Sequence, residues 1–464
     1  MPRQLAALLF TCFVFFLLKL DRKQSKHVSW TVWIPTAWML LISGKSLDQW
    51  LGVTGGSRES GGILDPLFLS LLLVVGIVIL FQRQLDWARM RSENAWLLLL
   101  LSYMLVSSIW ADDTFISLKR WIRELDAVVM AFLIVTERDP REAMQTMLRR
   151  TVYVLIPYSV LLIKYYPWLG VQYAQKGGLM WVGVTLQKNG LGRLCLIAGF
   201  FLLWTFIRRW KKRDRAAVKH QTFAELIVVA MTIWLFRGPS EWAASATATA
   251  SLAIGVIVYL VLLWMGKHRM NLGPNTWAII VVCIIGIGVA TPFVGGSTVT
   301  GFTSMLGRDS SLTGRTDIWA GLLPFVEQRP VLGSGYGVLW TPKVIAAATG
   351  LAEAHSGYLE VILQLGFVGL FLTVMFLASS ARKAAILLAW DYDWGSLILC
   401  YLIMAAVHNI TESSFDSLTR QLMALVVFLS AMSATAISSW RNESESQALE
   451  SLESVRPPEV MYRS

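Results

Sequence analysis

Apolar runs of near-spanning length recur along almost the whole 464-residue chain. A helix needs about 20 apolar residues to cross the hydrocarbon core of a bilayer. With 55% hydrophobic residues and a mean hydropathy of +0.56, the chain is too apolar for a water-soluble core of ordinary size. The expected fold is therefore all-α: a polytopic integral membrane protein of about 12–13 transmembrane helices. Spans are expected near 4–19, 29–43, 63–82, 95–110, 126–137, 151–166, 190–207, 223–236, 246–265, 275–294, 357–379, 394–410 and 420–439. Residues 1–439 form one membrane domain on this reading. The acidic, Ser-rich stretch 440–464 is expected to be a disordered or weakly helical cytoplasmic tail.

Charge placement orients the chain. The formal net charge is +11, which by itself would admit a nucleic-acid partner. The basic residues, however, collect in loops 19–28, 83–94, 138–150, 208–222, 266–274 and 380–393, alternate loops that share one side of the membrane. By the positive-inside rule that side is cytoplasmic, so most of the charge reports topology and no nucleic-acid partner is expected. The amino terminus then lies outside and the carboxyl terminus inside. The first run lacks a small-residue cleavage site and carries its basic residues after it, so a retained span is expected rather than a signal peptide. Cys12, Cys195, Cys283 and Cys400 all lie in apolar runs and read as small buried hydrophobes.

The longest hydrophilic segment, 295–356, falls on the outer side. Thr313 can cap a helix whose residues Ile318, Trp319, Leu322, Phe325 and Val326 would form a membrane-lying face. Pro342 can start a second short helix ending near Gly350. The segment closes on His355-Ser356, followed by nine residues and then Gly366-Phe367-Val368-Gly369. It also holds Gly314-Arg315 with Trp319 one turn further on. A histidine titrates near neutrality and an arginine stays charged, so the pair suits activation of a hydroxyl beside a phosphate-bearing substrate.

These motifs resemble the O-antigen ligase and exopolysaccharide polymerase superfamily of bacterial envelope proteins. The His-Ser…Gly-x-x-Gly pattern and Gly314-Arg315 are similar to the ligase signatures. Ser108-Ile109-Trp110 leading to Arg120 and Arg123 resembles the exopolysaccharide branch, as do Gln187-Lys188-Asn189-Gly190 and Asn409-Ile410-Thr411-Glu412-Ser413. One departure favours the polymerase side: where ligases often carry an arginine at the outer edge of a middle span, this chain reads Ser245-Ala246-Thr247-Ala248-Thr249.

The resemblance implies metal-independent glycosyl transfer at the periplasmic face of the bacterial inner membrane, with no cofactor. The donor would be a glycan on undecaprenyl diphosphate, and the acceptor a sugar hydroxyl on lipid A core or on another lipid-linked repeat. His355 would serve the acceptor hydroxyl and Arg315 the diphosphate. Arg120, Arg123, Lys188, Asn189, Arg193 and Glu412 are further candidates for holding substrate. Each has a plainer reading beside it. His355 could make a structural hydrogen bond, Arg315 a salt bridge with Asp317 or Glu327, and Arg120 and Arg123 a helix-end pairing with Glu124 or Asp126. Trp181, Tyr336 and Trp340 could stack on sugars or simply sit at the interface. The competing functions are a transporter or flippase of lipid-linked sugars, which calls for broken spans and charges near mid-bilayer, and a scaffold protein, which needs no His and Arg constellation.

Overall fold

The computed structural model describes residues 1–25, 27–52, 62–83, 85–173, 178–212, 219–239, 245–294 and 314–437. Thr313, residues 213–218 of the basic run 208–222 and the tail 440–464 lie outside these residues. Every expected span falls on a helix. Six helices have the length and composition to cross a membrane: Arg3–Gln24, Leu64–Gln82, Pro140–Tyr165, Lys188–Lys211, Ala246–Lys267 and Gly357–Leu387. Trp30–Ser43, Pro274–Ala290, Tyr392–His408 and Gln421–Ile437 are shorter apolar helices. Trp87–Glu93 and Ala95–Trp110 form a pair bent by 86°. The run at 126–137 belongs to a longer helix, Thr114–Val135, whose first turn Asp113 caps through the Ile116 N–H. A two-stranded antiparallel hairpin, Val171–Tyr173 with Leu179–Trp181, is the strand content of the described residues, and no sequence signal pointed to it.

Contacts sort the loops into two ends. Residues expected inside pair with one another: Asp21 with Arg149 and Arg150 (2.5 and 2.7 Å), Arg83 with Glu137, Arg141 with Asp391 (3.0 Å), and Arg208 with Asp393 (3.6 Å). At the opposite end Arg315 meets Glu412, and the Ser117 hydroxyl donates to the Tyr336 carbonyl (2.7 Å). Such pairing needs the alternation of ends that the charge pattern anticipated.

The helix Gly357–Leu387 is broken. Gly366 has φ 64° and ψ −168°, a conformation open to glycine and costly to other residues. The break frees backbone N–H groups, and an incoming loop satisfies them. Phe367 N–H donates to the Pro330 carbonyl (2.9 Å) and Val368 N–H to the Val331 carbonyl (3.2 Å). In return Ser334 and Gly335 N–H donate to the carbonyls of Leu363 and Gln364 (3.0 and 2.9 Å). An added Cβ at Gly366 would overlap the Val331 carbonyl, and one at Gly333 would overlap Gln364. Gly366 and Gly333 are thus the two halves of one backbone clasp.

The segment above this helix corrects one expectation. The helix Arg315–Gln328 does form, and Thr341 caps the short helix Pro342–Ala347. The apolar face of the first does not lie on the membrane. Ile318, Trp319, Leu322 and Val326 are buried against Leu339, Val344, Leu359 and Ile362. Packing on the helix that follows His355 buries these four residues, with Phe325 partly buried beside them.

Two results are expected. Gly366→Ala should destabilise the protein by about 2–4 kcal/mol, from left-handed strain plus the clash, read as a lowered unfolding temperature in detergent. With the native cysteines removed, Glu327→Cys should react with a membrane-impermeant thiol reagent on intact spheroplasts, and Ser92→Cys only after lysis; the reverse pattern would invert the topology.

Candidate functional site

Glu412 is the centre of the outer end. It sits in the turn after the helix Tyr392–His408, and its side chain is 1% exposed. Oε1 accepts from Arg315 Nη2 (2.6 Å) and from Asn189 Nδ2 (2.8 Å). Oε2 faces His355 Nδ1 at 3.8 Å. Burial alone pushes this carboxyl up, but the adjacent His355 ring and the Arg315 guanidinium outweigh it and hold the group at about 2. Three sequence candidates from three separate motifs therefore converge on a fourth, the Glu412 carboxylate.

Local structure explains how each arrives. Asn189 and Arg193 are one turn apart at the start of the helix Lys188–Lys212, so they share a face. Asn189 reaches Glu412, while Arg193 Nη1 donates to the Ser413 carbonyl (3.0 Å) and contacts the Ser414 hydroxyl (3.3 Å). Arg315 and Trp319 are likewise one turn apart. Trp319 Nε1 donates to the Ala354 carbonyl (2.9 Å), which docks the Arg315 helix beside the histidine.

His355 is pinned from both sides. Ala354 N–H donates to Glu360 Oε2 (3.0 Å), and Gly357 N–H donates to the carbonyls of Asn409 and Glu412 (2.9 and 3.0 Å). Between these clamps His355 adopts φ 49°, which non-glycine residues seldom hold. Ser356 caps the following helix by accepting from Leu359 N–H (3.4 Å). The second residue of the His-Ser motif is thus a helix cap, and the nine that follow are the helix running to the Gly366 break.

Asn409 lies in a motif that does not show what its side chain does. Its Oδ1 accepts from Ser414 and Phe415 N–H (2.7 and 3.0 Å), which folds the turn that carries Glu412. His408 is fully buried, and neither ring nitrogen is hydrogen-bonded among the described residues. The hydropathy signal that marks a span end gives no hint of either.

Arg120 and Arg123 are not part of the Glu412 cluster. They line a neighbouring cavity of about 470 Å³ together with Arg193, Arg420, Trp340 and Gln364. Neither Arg120 nor Arg123 has an ion pair or hydrogen bond among the described residues. The plainer reading paired them with Glu124 or Asp126. Glu124 instead accepts from the Ser417 hydroxyl (2.9 Å) and the Leu418 N–H (2.6 Å). Lys188 is half-buried at the head of its helix. Trp340 lines the cavity with its Nε1 donated to Glu360 (2.7 Å), Tyr336 is buried in its wall, and Trp181 packs on Trp234 instead. Thr247, in the stretch that lacks the arginine, meets the Thr411 hydroxyl at 2.8 Å, next to Glu412.

No metal-ligand spacing is visible in the sequence. The fold nonetheless brings ligand atoms of Glu353, His355 and Glu412 within 4.8 Å of one another. Glu353 lies 3.8 Å from His355 Nδ1. These three side chains are the group among the described residues able to take a cation.

An all-α membrane bundle with a partly buried His and Arg gathered on a buried carboxylate at one end defines a class of polytopic membrane protein with a polar site above its helices. Residues 177–374 match the family described as O-Antigen ligase, a stretch that holds Arg315, His355 and both halves of the glycine clasp. The chain is also 23% identical over 324 residues to the exopolysaccharide production protein ExoQ of Rhizobium meliloti (strain 1021), covering 66% of this chain and 68% of that protein. These findings bear out the resemblance to the O-antigen ligase and polymerase superfamily and support a glycan-processing ligase or polymerase role.

The depressed Glu412 carboxyl makes a stability prediction. Folding favours its charged form, so its contribution is full above the ordinary value of 4.5 and is lost as pH falls through about 2. The size is on the order of 3 kcal/mol at most. Thermal unfolding of the solubilised protein should lose stability below about pH 4.5. Glu412→Gln should be less stable at neutral pH and should lack that part of the pH dependence.

Proposed function

We propose that the protein transfers a glycan from undecaprenyl diphosphate to a sugar hydroxyl at the periplasmic face, without a metal. The convergence of Arg315, Asn189 and His355 on the buried Glu412 carries this reading. It sets a titratable imidazole beside a guanidinium, next to a cavity whose Arg120 and Arg123 are uncommitted among the described residues.

His355 takes the proton of the acceptor hydroxyl as that oxygen attacks the donor's anomeric carbon. The glycosyl–oxygen bond to the diphosphate breaks, and the leaving group departs with its electron pair. Glu412, ionised, orients the imidazole and stabilises the imidazolium that forms; the 3.8 Å separation is of the kind that tightens once substrate is bound. Arg315 meets the developing charge on the leaving diphosphate through its planar fork, as do Arg120 and Arg123 from the cavity. Arg315 already neutralises Glu412, so cationic side chains fill the place a metal would take at the Glu353, His355 and Glu412 group.

A transporter would also show a broken helix. Here the break at Gly366 is filled by the 330–337 loop rather than lining a passage.

Purified protein given undecaprenyl diphosphate-linked repeat units, with and without lipid A core, decides the reaction. Laddered lipid-linked products identify a polymerase, product formed only with core identifies a ligase, and no product with either removes the transferase reading. His355→Ala should lower turnover by at least about 10²-fold, with the protein still inserted and folded. Arg315→Lys should remain badly impaired because it keeps the charge and loses the fork. Activity should survive EDTA. Loss in EDTA with recovery on Mg²⁺ or Mn²⁺ would assign Glu353, His355 and Glu412 to a cation.

A further inference from the structure

Two polar atoms at the outer end face one another with their bonding capacity unused. Glu412 Oε2 and His355 Nδ1 are both buried, and neither has a hydrogen-bond partner among the described residues. Buried polar atoms in this state call for a bound partner. They stand 3.8 Å apart, and Glu353 Oε1 lies 3.8 Å from the same nitrogen. The three atoms all fall within 4.8 Å of one another. Their placement is built into the fold. His355 is held at φ 49° between its two backbone clamps, and Glu412, 1% exposed, is fixed through its other oxygen by Arg315 and Asn189. A zinc ion holds nitrogen and carboxylate ligands at about 2.0–2.2 Å, which puts the ligand atoms of a tetrahedral site roughly 3.4 Å apart. Rotation of the partly buried Glu353 side chain closes most of the difference. An imidazole with two carboxylates suits a borderline transition metal, whereas Mg²⁺ favours oxygen ligands and keeps its water. Arg315 sits on Oε1, so it leaves Oε2 free but repels a dication, which makes binding reversible.

We propose that Glu353, His355 and Glu412 form an inhibitory site for a transition-metal dication of the Zn²⁺ type. The binding goes beyond the transferase reading; only the inhibition rests on it. A metal takes the Nδ1 lone pair, so the neutral ring carries its proton on Nε2. With Nδ1 turned to the carboxylates, Nε2 is the nitrogen left to meet an acceptor hydroxyl, and once protonated it cannot take that proton. The ion also draws Glu412 Oε2 away from the imidazole. It therefore blocks a reaction that itself needs no metal. Glu353, which has no part in the proposed transfer, sets how tightly the inhibitor is held.

Full-length, tag-free protein stripped with EDTA should bind one Zn²⁺ in a titration against a chromophoric chelator, and Zn²⁺ should then inhibit glycan transfer. Mg²⁺ at the same concentration should do neither. Glu353→Gln should keep the metal-free transfer rate. It should weaken Zn²⁺ binding, and raise the Zn²⁺ concentration for half-inhibition, by at least about tenfold, since loss of even an outer-shell partner costs that much. His355→Ala is the second variant, read by the titration alone, and decides the site if Glu353→Gln does not fold. Absence of Zn²⁺ binding by the wild type, equal affinity in the wild type and a folded variant, or equal inhibition by Mg²⁺ overturns the proposal. So does an active wild type that binds Zn²⁺ without losing activity. If the metal-free wild type transfers no glycan, the transferase reading fails and the titration judges the site by itself. Tighter binding by the wild type than by the folded variants supports the site, and equal binding overturns it.

Discussion

An ionised carboxylate buried at the outer end of a helix bundle is what the rest of the site has to accommodate. Glu412 is 1% exposed and held at about 2, so its charge has to be answered from within the protein. The answers come from chain segments far apart in sequence: Asn189 from one helix start, Arg315 from another, His355 from a strained turn. Removing any one partner leaves a buried charge short of contacts, which costs more than the lost bond. The carboxylate therefore ties the helices Lys188–Lys212, Arg315–Gln328, Gly357–Leu387 and Tyr392–His408 to a common point. A site held in this way is placed before substrate arrives, which is the condition for electrostatic assistance to cost no reorganisation during reaction.

The histidine's position follows from backbone rather than side-chain contacts. Glu360 fixes the residue before it, and the Asn409 and Glu412 carbonyls fix the residue two after it. Ser356 then starts a helix that can run only until Gly366, where the loop 330–337 takes over the freed N–H groups. That loop also carries Tyr336 and Gly337 into the wall of the arginine cavity. Gly337 N–H donates to Gln364 Oε1 (2.8 Å), which ties the cavity wall to the histidine helix.

Much of the bundle was legible in the sequence because hydropathy acts locally: each apolar run marked a helix, and the basic loops marked which ends belong together. The cluster was legible in its members but not in its geometry. Arg315, His355, Asn189 and Glu412 were each singled out by motif, yet no spacing could show that one carboxylate gathers them. The face of the helix Arg315–Gln328 was misassigned for a related reason. An apolar stripe fits a membrane surface or a protein surface equally well, and the choice is made by Leu359 and Ile362, some forty residues downstream. Asn409, His408, the kink at Gly366 and the metal-like grouping of Glu353 with His355 and Glu412 arise only from long-range contact, and periodicity is blind to that.

The arginines divide into two kinds, and the division bears on how an anion would be handled. Arg193, Arg315 and Arg420 are committed: to the Ser413 carbonyl, to Glu412, and to Asp416 at 2.9 Å. Their first task is to neutralise and hold the polar core. Arg120 and Arg123 stand exposed at the cavity, one helical turn apart, uncommitted among the described residues. On the function proposed above, a substrate diphosphate would meet these two first, because they are exposed and make no hydrogen bond or ion pair among the described residues. Arg315 can follow only by sharing its guanidinium between Glu412 and the incoming oxygen, which its several N–H donors permit and a lysine's single ammonium at that depth does less well. On the function proposed above, capture by the exposed Arg120 and Arg123 and stabilisation by the largely buried Arg315 would be distinct steps.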